Sequence, residues 1–267
     1  MLDLLSYPFM QRALIAGIIL GLLFASLGVI ATLRKMAFFG EGVAHASLAG
    51  IAIGVLAGVA PLPLALAWGA GVATLIYVLE RTTKLSSDTL IGILFTASMA
   101  LGVVLIAQTE GYQPELLSFL FGSILTIKTG DLALIAIFAV LILGWFFLSL
   151  RQLTLLSLSE ESASVAGVPV RAQTFIFYIS LAIATVLGVK ILGIILVSAL
   201  IVLPPAISRL FTSSFKSYLT VSIVVAEFIM VVGLILSFEL DLPSGAMIVL
   251  VGSGLFLIAA LVTARQA

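Results

Sequence analysis

The chain has no cysteine, a single histidine and little charge: 9% of its 267 residues are Asp, Glu, Lys or Arg. Without cysteine there is no disulfide, no thiolate metal ligand and no cysteine nucleophile. One histidine cannot supply the His-Glu-x-x-His ligand set of a metalloprotease. No Gly-x-x-x-x-Gly-Lys-Ser/Thr loop is present, so the chain lacks the P-loop of an ATPase. Acidic and basic residues balance at 12 each. No net charge points to nucleic acid, and none is expected as a partner. What fills the sequence instead is apolar, 63% of it. Soluble domains carry about 25% charged residues. A soluble protein of this size could not hide so much apolar surface. The composition predicts an all-α integral membrane protein, in contact with lipid over its length and forming a single transmembrane domain over 1–267.

Charges and prolines divide the chain. A helix needs about 20 apolar residues to cross a bilayer. Candidate spans are 10–33, 43–60, 62–79, 89–108, 131–150, 172–189, 191–208, 217–238 and 243–263. The first apolar run, 13–33, is 21 residues long. It exceeds a signal-peptide core, follows an acidic Asp3 and lacks a small-residue cleavage pattern, so it reads as a retained span. The run 116–127 is too short to cross and predicts a re-entrant half-helix, giving a bundle of eight to nine spans plus that element. Nine spans put the termini on opposite sides. With the N-terminus outside and the C-terminus inside, the inner loops hold nine of the 12 basic residues, which is the positive-inside bias. Glycines are frequent, and Gly17-x-x-x-Gly21, Gly50-x-x-x-Gly54 and Gly54-x-x-x-Gly58 predict close helix packing.

His45 follows Glu41 by one helical turn, at the head of a stretch, 46–79, that contains no charge. The spacing puts a carboxylate and an imidazole on one helix face. Both bind borderline divalent metals, and ionisable groups within a membrane usually face a pathway. The competing reading is a helix-start acid and a hydrogen-bonded core histidine. Glu227, midway along the eighth span, must face the bundle, where it assists a cation path or pairs with a neighbour. Pro204 and Pro205 are expected to break the seventh span, as a pathway element or as a plain kink. Asp88 is expected to cap the fourth span, and Lys190 to snorkel at an outer helix end.

The inner loop around 158–170 reads LSEESASVAGVPV. Its middle can form a short helix with Glu160 and Glu161 in the first turn, where the dipole favours acids, and with Gly167 and Pro169 as stops. The pattern Glu161-x-Ala163-x-x-x-Gly167 resembles the coupling loop of ATP-driven permeases. Segments 34–50 (RKMAFFGEGVAHASLAG), 88–93 (DTLIGI), 192–206 (LGIILVSALIVLPPA) and 241–245 (DLPSG) resemble, in order, the permeases of zinc and manganese ABC importers. That resemblance implies a homodimer in the plasma membrane, two cytosolic ATP-binding subunits and an extracytoplasmic metal-binding protein. The chain itself would be no enzyme and would keep no cofactor, with zinc or manganese as cargo and zinc favoured because histidine suits it. Glu160, Glu161, Ala163 and Gly167 would couple to the ATPase, and Glu41 and His45 would contact the metal, with Glu227 as a third candidate. The family usually has Asp at the Glu41 position, often proline where this chain has Ala246, and no glutamate at 227. A proton-coupled metal transporter with Glu227 as relay is the alternative, though it leaves the coupling loop unexplained.

Overall fold

A computed structural model describes residues 7–108 and 127–264. The expected half-helix at 116–127 lies, but for Ile127, outside them. Regular structure among the described residues is entirely helical. In chain order the helices are α1 (Pro8–Leu33), α2 (Phe39–Leu56), α3 (Pro61–Thr82), α4 (Ser87–Ile106), α5 (Thr129–Leu148), α6 (Leu150–Leu158), α7 (Glu160–Val165), α8 (Val170–Arg209), α9 (Phe215–Leu240) and α10 (Ser244–Ala264).

Local chemistry sets the boundaries. Pro8 and Pro61 open α1 and α3, where the missing N–H costs nothing. Ser86, Ser159 and Ser214 cap α4, α7 and α9 by accepting from the backbone N–H three residues on. The cap of α4 is thus Ser86, and Asp88 sits inside the first turn, where it favours the dipole instead. Asp241, in the left-handed region, ends α9 just before Pro243.

Eight of these helices are long and apolar enough to cross a membrane. The longest, α8, holds a reversal. A Cβ placed on Gly40 would lie 2.3 Å from Ile201 Cδ1 and 3.6 Å from Thr185 Oγ1. In a straight helix residues 185 and 201 would be about 24 Å apart. Likewise a Cβ on Gly188 would meet Val197 Cγ2 at 2.9 Å. The chain doubles back at Gly193, whose φ of 77° and ψ of 166° lie in a region open essentially to glycine alone. The arms 170–192 and 194–209 answer to the sixth and seventh expected spans. The break does not fall at Pro204 and Pro205, however. Both are buried within the second arm, and Gly193 is the residue inside α8 that leaves helical dihedrals. Neighbouring helices let membrane helices tolerate such prolines.

Contacts sort the helix ends onto two faces. The rings of Tyr7 and Phe238 meet at 5.9 Å, so α1 starts where α9 ends. At the opposite face Arg34 pairs with Glu160, Tyr77 donates to the Arg171 carbonyl, and Ser208 donates to the Tyr218 carbonyl. With both arms of α8 counted, the described chain makes nine passes, from Tyr7 on one face to Ala264 on the other. In lipid no hydrophobic force gathers helices, so close backbone approach matters. Gly50 and Gly54 supply it: a Cβ on either would lie 2.7 Å from the α3 backbone at Ala65 or Pro61. The centre is built from α1, α2 and α8, while α4, α5 and α10 present apolar side chains outward, among them Val104, Leu148 and Leu261.

Candidate functional site

The first turns of α2 are wedged between α4 and α8. Gly40 faces Ile201 and Thr185, and Gly42 faces Ile91 of α4. A Cβ at either position would come within 2.5 Å of those isoleucine methyls, so the side chains or the helix would have to shift. On the open side of the same turns stand Glu41 and His45, both half-buried. Glu41 lies in the first turn, where the helix dipole favours a carboxylate. The His45 imidazole leans on Phe95 of α4, with ring centroids 5.2 Å apart. Glu41 and His45 interact electrostatically, yet among the described residues no hydrogen bond or ion pair ties either side chain down. The structure thus brings the two predicted metal-contacting residues onto one face with their donor atoms uncommitted.

Within one chain the described residues do not complete a ligand set. Among the described residues no group of three His, Asp or Glu side chains could hold a metal. Glu227 is not brought to the pair. It lies in the α1–α9 seam, where a Cβ on Gly21 would be 3.1 Å from its Oε1. Both of its carboxylate oxygens are buried and lack a hydrogen-bond partner, so the expected pairing is not seen among the described residues. Pro204 and Pro205 lie in the second arm of α8, which meets α1 where Gly28 faces the Ile201 carbonyl.

The loop predicted at 158–170 forms a short helix, and the preceding stretch adds α6, which the apolar pattern did not reveal. Glu160 and Glu161 occupy the first turn of α7. Ala163 is fully buried and anchors it. Gly167, at φ 77°, ends it, and the Gly167 and Val168 N–H groups donate back to Ser164 and Ala163. Val165 at the end of α7 is 92% exposed and Leu158 at the end of α6 78% exposed, so this region offers apolar side chains beyond the bundle. An open cavity of about 740 Å³ beside α7 is lined by Arg81, Glu160, Glu161, Ser164 and Arg171, among others.

Other polar residues emerge only from the fold. Lys190 pairs with Asp131 rather than snorkelling. The Glu80 carboxylate accepts hydrogen bonds from Ser87 and from Tyr178. The available signal for Glu80 was an acid in the last turn of an apolar helix, a position the dipole disfavours.

The model of the ABC 3 transport family matches residues 6–263. The manganese transport system membrane protein MntC of Halalkalibacterium halodurans is 33% identical, covering 99% of this chain and 90% of that protein. The high-affinity zinc uptake system membrane protein ZnuB of Haemophilus influenzae is 32% identical, covering 92% of this chain and 94% of its own. Among solved structures, PsaBC from Streptococcus pneumoniae in complex with Fab matches with a TM-score of 0.84 at 29% identity, over 96% of this chain and 92% of that one.

Proposed function

The chain belongs to the ABC 3 transport family, and on that premise we propose that it carries a divalent transition metal inward, zinc in preference to manganese, through a path on which Glu41 and His45 are the metal-contacting side chains. It is a multi-pass membrane permease, as are the transport relatives it resembles. Family membership supports this reading over the proton-coupled secondary transporter. The observation that carries the reading is the Glu41–His45 face of α2, half-buried and without a hydrogen-bond or ion-pair partner among the described residues. A charged group costs on the order of 2–3 kcal/mol within a bilayer and is retained where it serves a path. Imidazole suits zinc better than it suits manganese, which prefers oxygen. Manganese is the second reading, favoured by the hard Glu41 carboxylate and by the manganese relatives.

ATP hydrolysis is assigned to separate cytosolic subunits, two per permease dimer, docking on α7 through Glu160, Glu161 and the exposed Val165. Metal arrives from an extracytoplasmic binding protein. Tyr7, Asp131, Lys190 and Phe238 then mark the outer face, and Arg34, Arg171 and α7 the inner one. Basic residues gather on that inner face, as membrane insertion favours. Since the described residues of one chain bring two ligands together and zinc takes about four, two copies share the site or each pair holds a partly hydrated ion. The test is metal-stimulated ATP hydrolysis and uptake by the complex in proteoliposomes, comparing zinc, manganese and iron. Stimulation by zinc at lower concentration than manganese is expected. Stimulation by none of the three would sink the reading.

A further inference from the structure

The Glu80 carboxylate is out of place by local rules. It stands in the last turn of α3, half-buried, at the negative end of the helix dipole. Two hydroxyls hold it there. Ser87, in the first turn of α4, donates to Oε1, and Tyr178 of α8 donates to Oε2. Glu80 therefore joins three helices at the face that carries α7. Residues that break a local preference, yet are fully satisfied by long-range partners, cluster at functional positions.

Tyr178 looks both ways from this joint. Its side chain is fully buried, and its ring packs on Phe39 with centroids 5.2 Å apart. Phe39 is the first residue of α2 and stands two positions before Glu41. Arg34 caps the end of α1, five residues before Phe39, and Glu160 opens α7. Those two groups are themselves paired at 2.8 Å, which ties α7 to the connector that runs from α1 into α2. Glu160 on α7 is thus tied through Arg34 and the connector 35–38 to Phe39, two residues before Glu41, and Phe39 packs on Tyr178, which Glu80 holds.

We propose that Glu80 and Tyr178 are the positioning residues that convert movement of α7 into movement of the α2 turn carrying the metal-contacting pair. This rests on the function proposed above. A hydroxyl–carboxylate bond suits the task because it is directional and is lost with a small displacement. The tilted ring contact beneath it keeps Tyr178 seated on Phe39 while that bond makes or breaks.

The experiment uses the assembled complex in proteoliposomes and counts ATP hydrolysed per metal ion moved. Tyr178→Phe removes the hydroxyl and keeps the ring. It is expected to leave assembly and metal-independent hydrolysis at wild-type level while raising the ratio of hydrolysis to transport by roughly fivefold or more, the lower end of ordinary coupling between sites. Glu80→Leu should do the same. Glu80→Gln, which still accepts from Tyr178, should stay within about twofold of wild type. A merely structural bond would lower thermal stability without changing the ratio. An unchanged ratio in Tyr178→Phe overturns the proposal. So does failure of that variant to assemble, which would assign the bond to folding. If wild type itself shows no metal-stimulated hydrolysis with zinc or manganese, the functional reading falls and this proposal with it.

Discussion

Lys190 and Asp131 meet at 2.6 Å on the face where the two arms of α8 join. The pair fastens the reversal at Gly193 to the start of α5, whose first turn Asp131 occupies. Both side chains keep partial access to solvent, at 34% and 25%. The bond should therefore contribute no more than about 1 kcal/mol. Lys190→Ala and Asp131→Ala are each expected to lower the melting temperature slightly. The double variant should lose less than the sum of the two, since either change alone already breaks the pair. Additive losses would show that the contact is incidental.

Gly193 carries a larger burden. Its φ of 77° and ψ of 166° exclude residues with a Cβ. Gly193→Ala is expected to cost about 1–3 kcal/mol by backbone strain, seen as a lower melting temperature of the purified permease. Gly71, on an open face of α3 with nothing within 4 Å of an added Cβ, is the control. Gly71→Ala should be neutral or stabilising by up to about 1 kcal/mol.

The contrast between Gly193 and the proline pair shows what a sequence exposes. Pro204 and Pro205 announce a helix break because each lacks an N–H. In a packed membrane bundle neighbours compensate, and the helix continues through both. Gly193 gives no such notice among 23 glycines, because its conformation follows from what the two arms pack against. The spans themselves were legible from length and apolarity alone, as was α7, whose acids, Gly167 and Pro169 are local signals. Ser86 rather than Asp88 caps α4 because the cap precedes the first turn by one residue, a distinction within the reach of local rules. Lys190–Asp131 and Tyr178–Glu80 join residues 59 and 98 positions apart. No periodicity encodes such pairs, and only the topology brings them together.

The proposed docking role of α7 has its own test. Gly167, at φ 77°, has open space around it. A substitution there meets backbone strain of about 1–3 kcal/mol and no clash, so the bundle should stay folded. Gly167→Val is expected to preserve assembly of the permease itself while transport falls more than ATP hydrolysis. The absence of native cysteine makes Ser164→Cys a clean crosslinking site. Crosslinks from Ser164→Cys to an ATPase subunit are expected, and their absence at every linker length would refute docking on α7.

Orientation is checked with the same advantage. Ala264 ends α10 on the face that carries α7, and Asp241 lies on the opposite face. In intact cells an impermeant thiol reagent should label Asp241→Cys and spare Ala264→Cys. The reverse pattern would turn the molecule over and remove α7 from the cytosol.

The proposed metal-contacting pair yields the sharpest expectation. His45→Ala removes the only imidazole in the chain and leaves its neighbours Phe95 and Glu41 in place, so assembly should persist while uptake at limiting metal falls to background. Wild-type uptake would exclude His45 from the path. Glu41→Asp keeps the charge but withdraws the oxygens by about 1.5 Å, and it should shift the ratio of zinc to manganese uptake. Glu227→Gln should shift that ratio less, because Glu227 sits in the α1–α9 seam away from the pair. Whether two copies of the chain share one ion is a question of distance. Zinc–nitrogen bonds are about 2 Å, so a shared ion holds two histidine nitrogens about 4 Å apart at most. Spin labels or a metal-loaded structure placing the two His45 side chains beyond about 10 Å in every state would leave each Glu41–His45 pair to pass a hydrated ion alone.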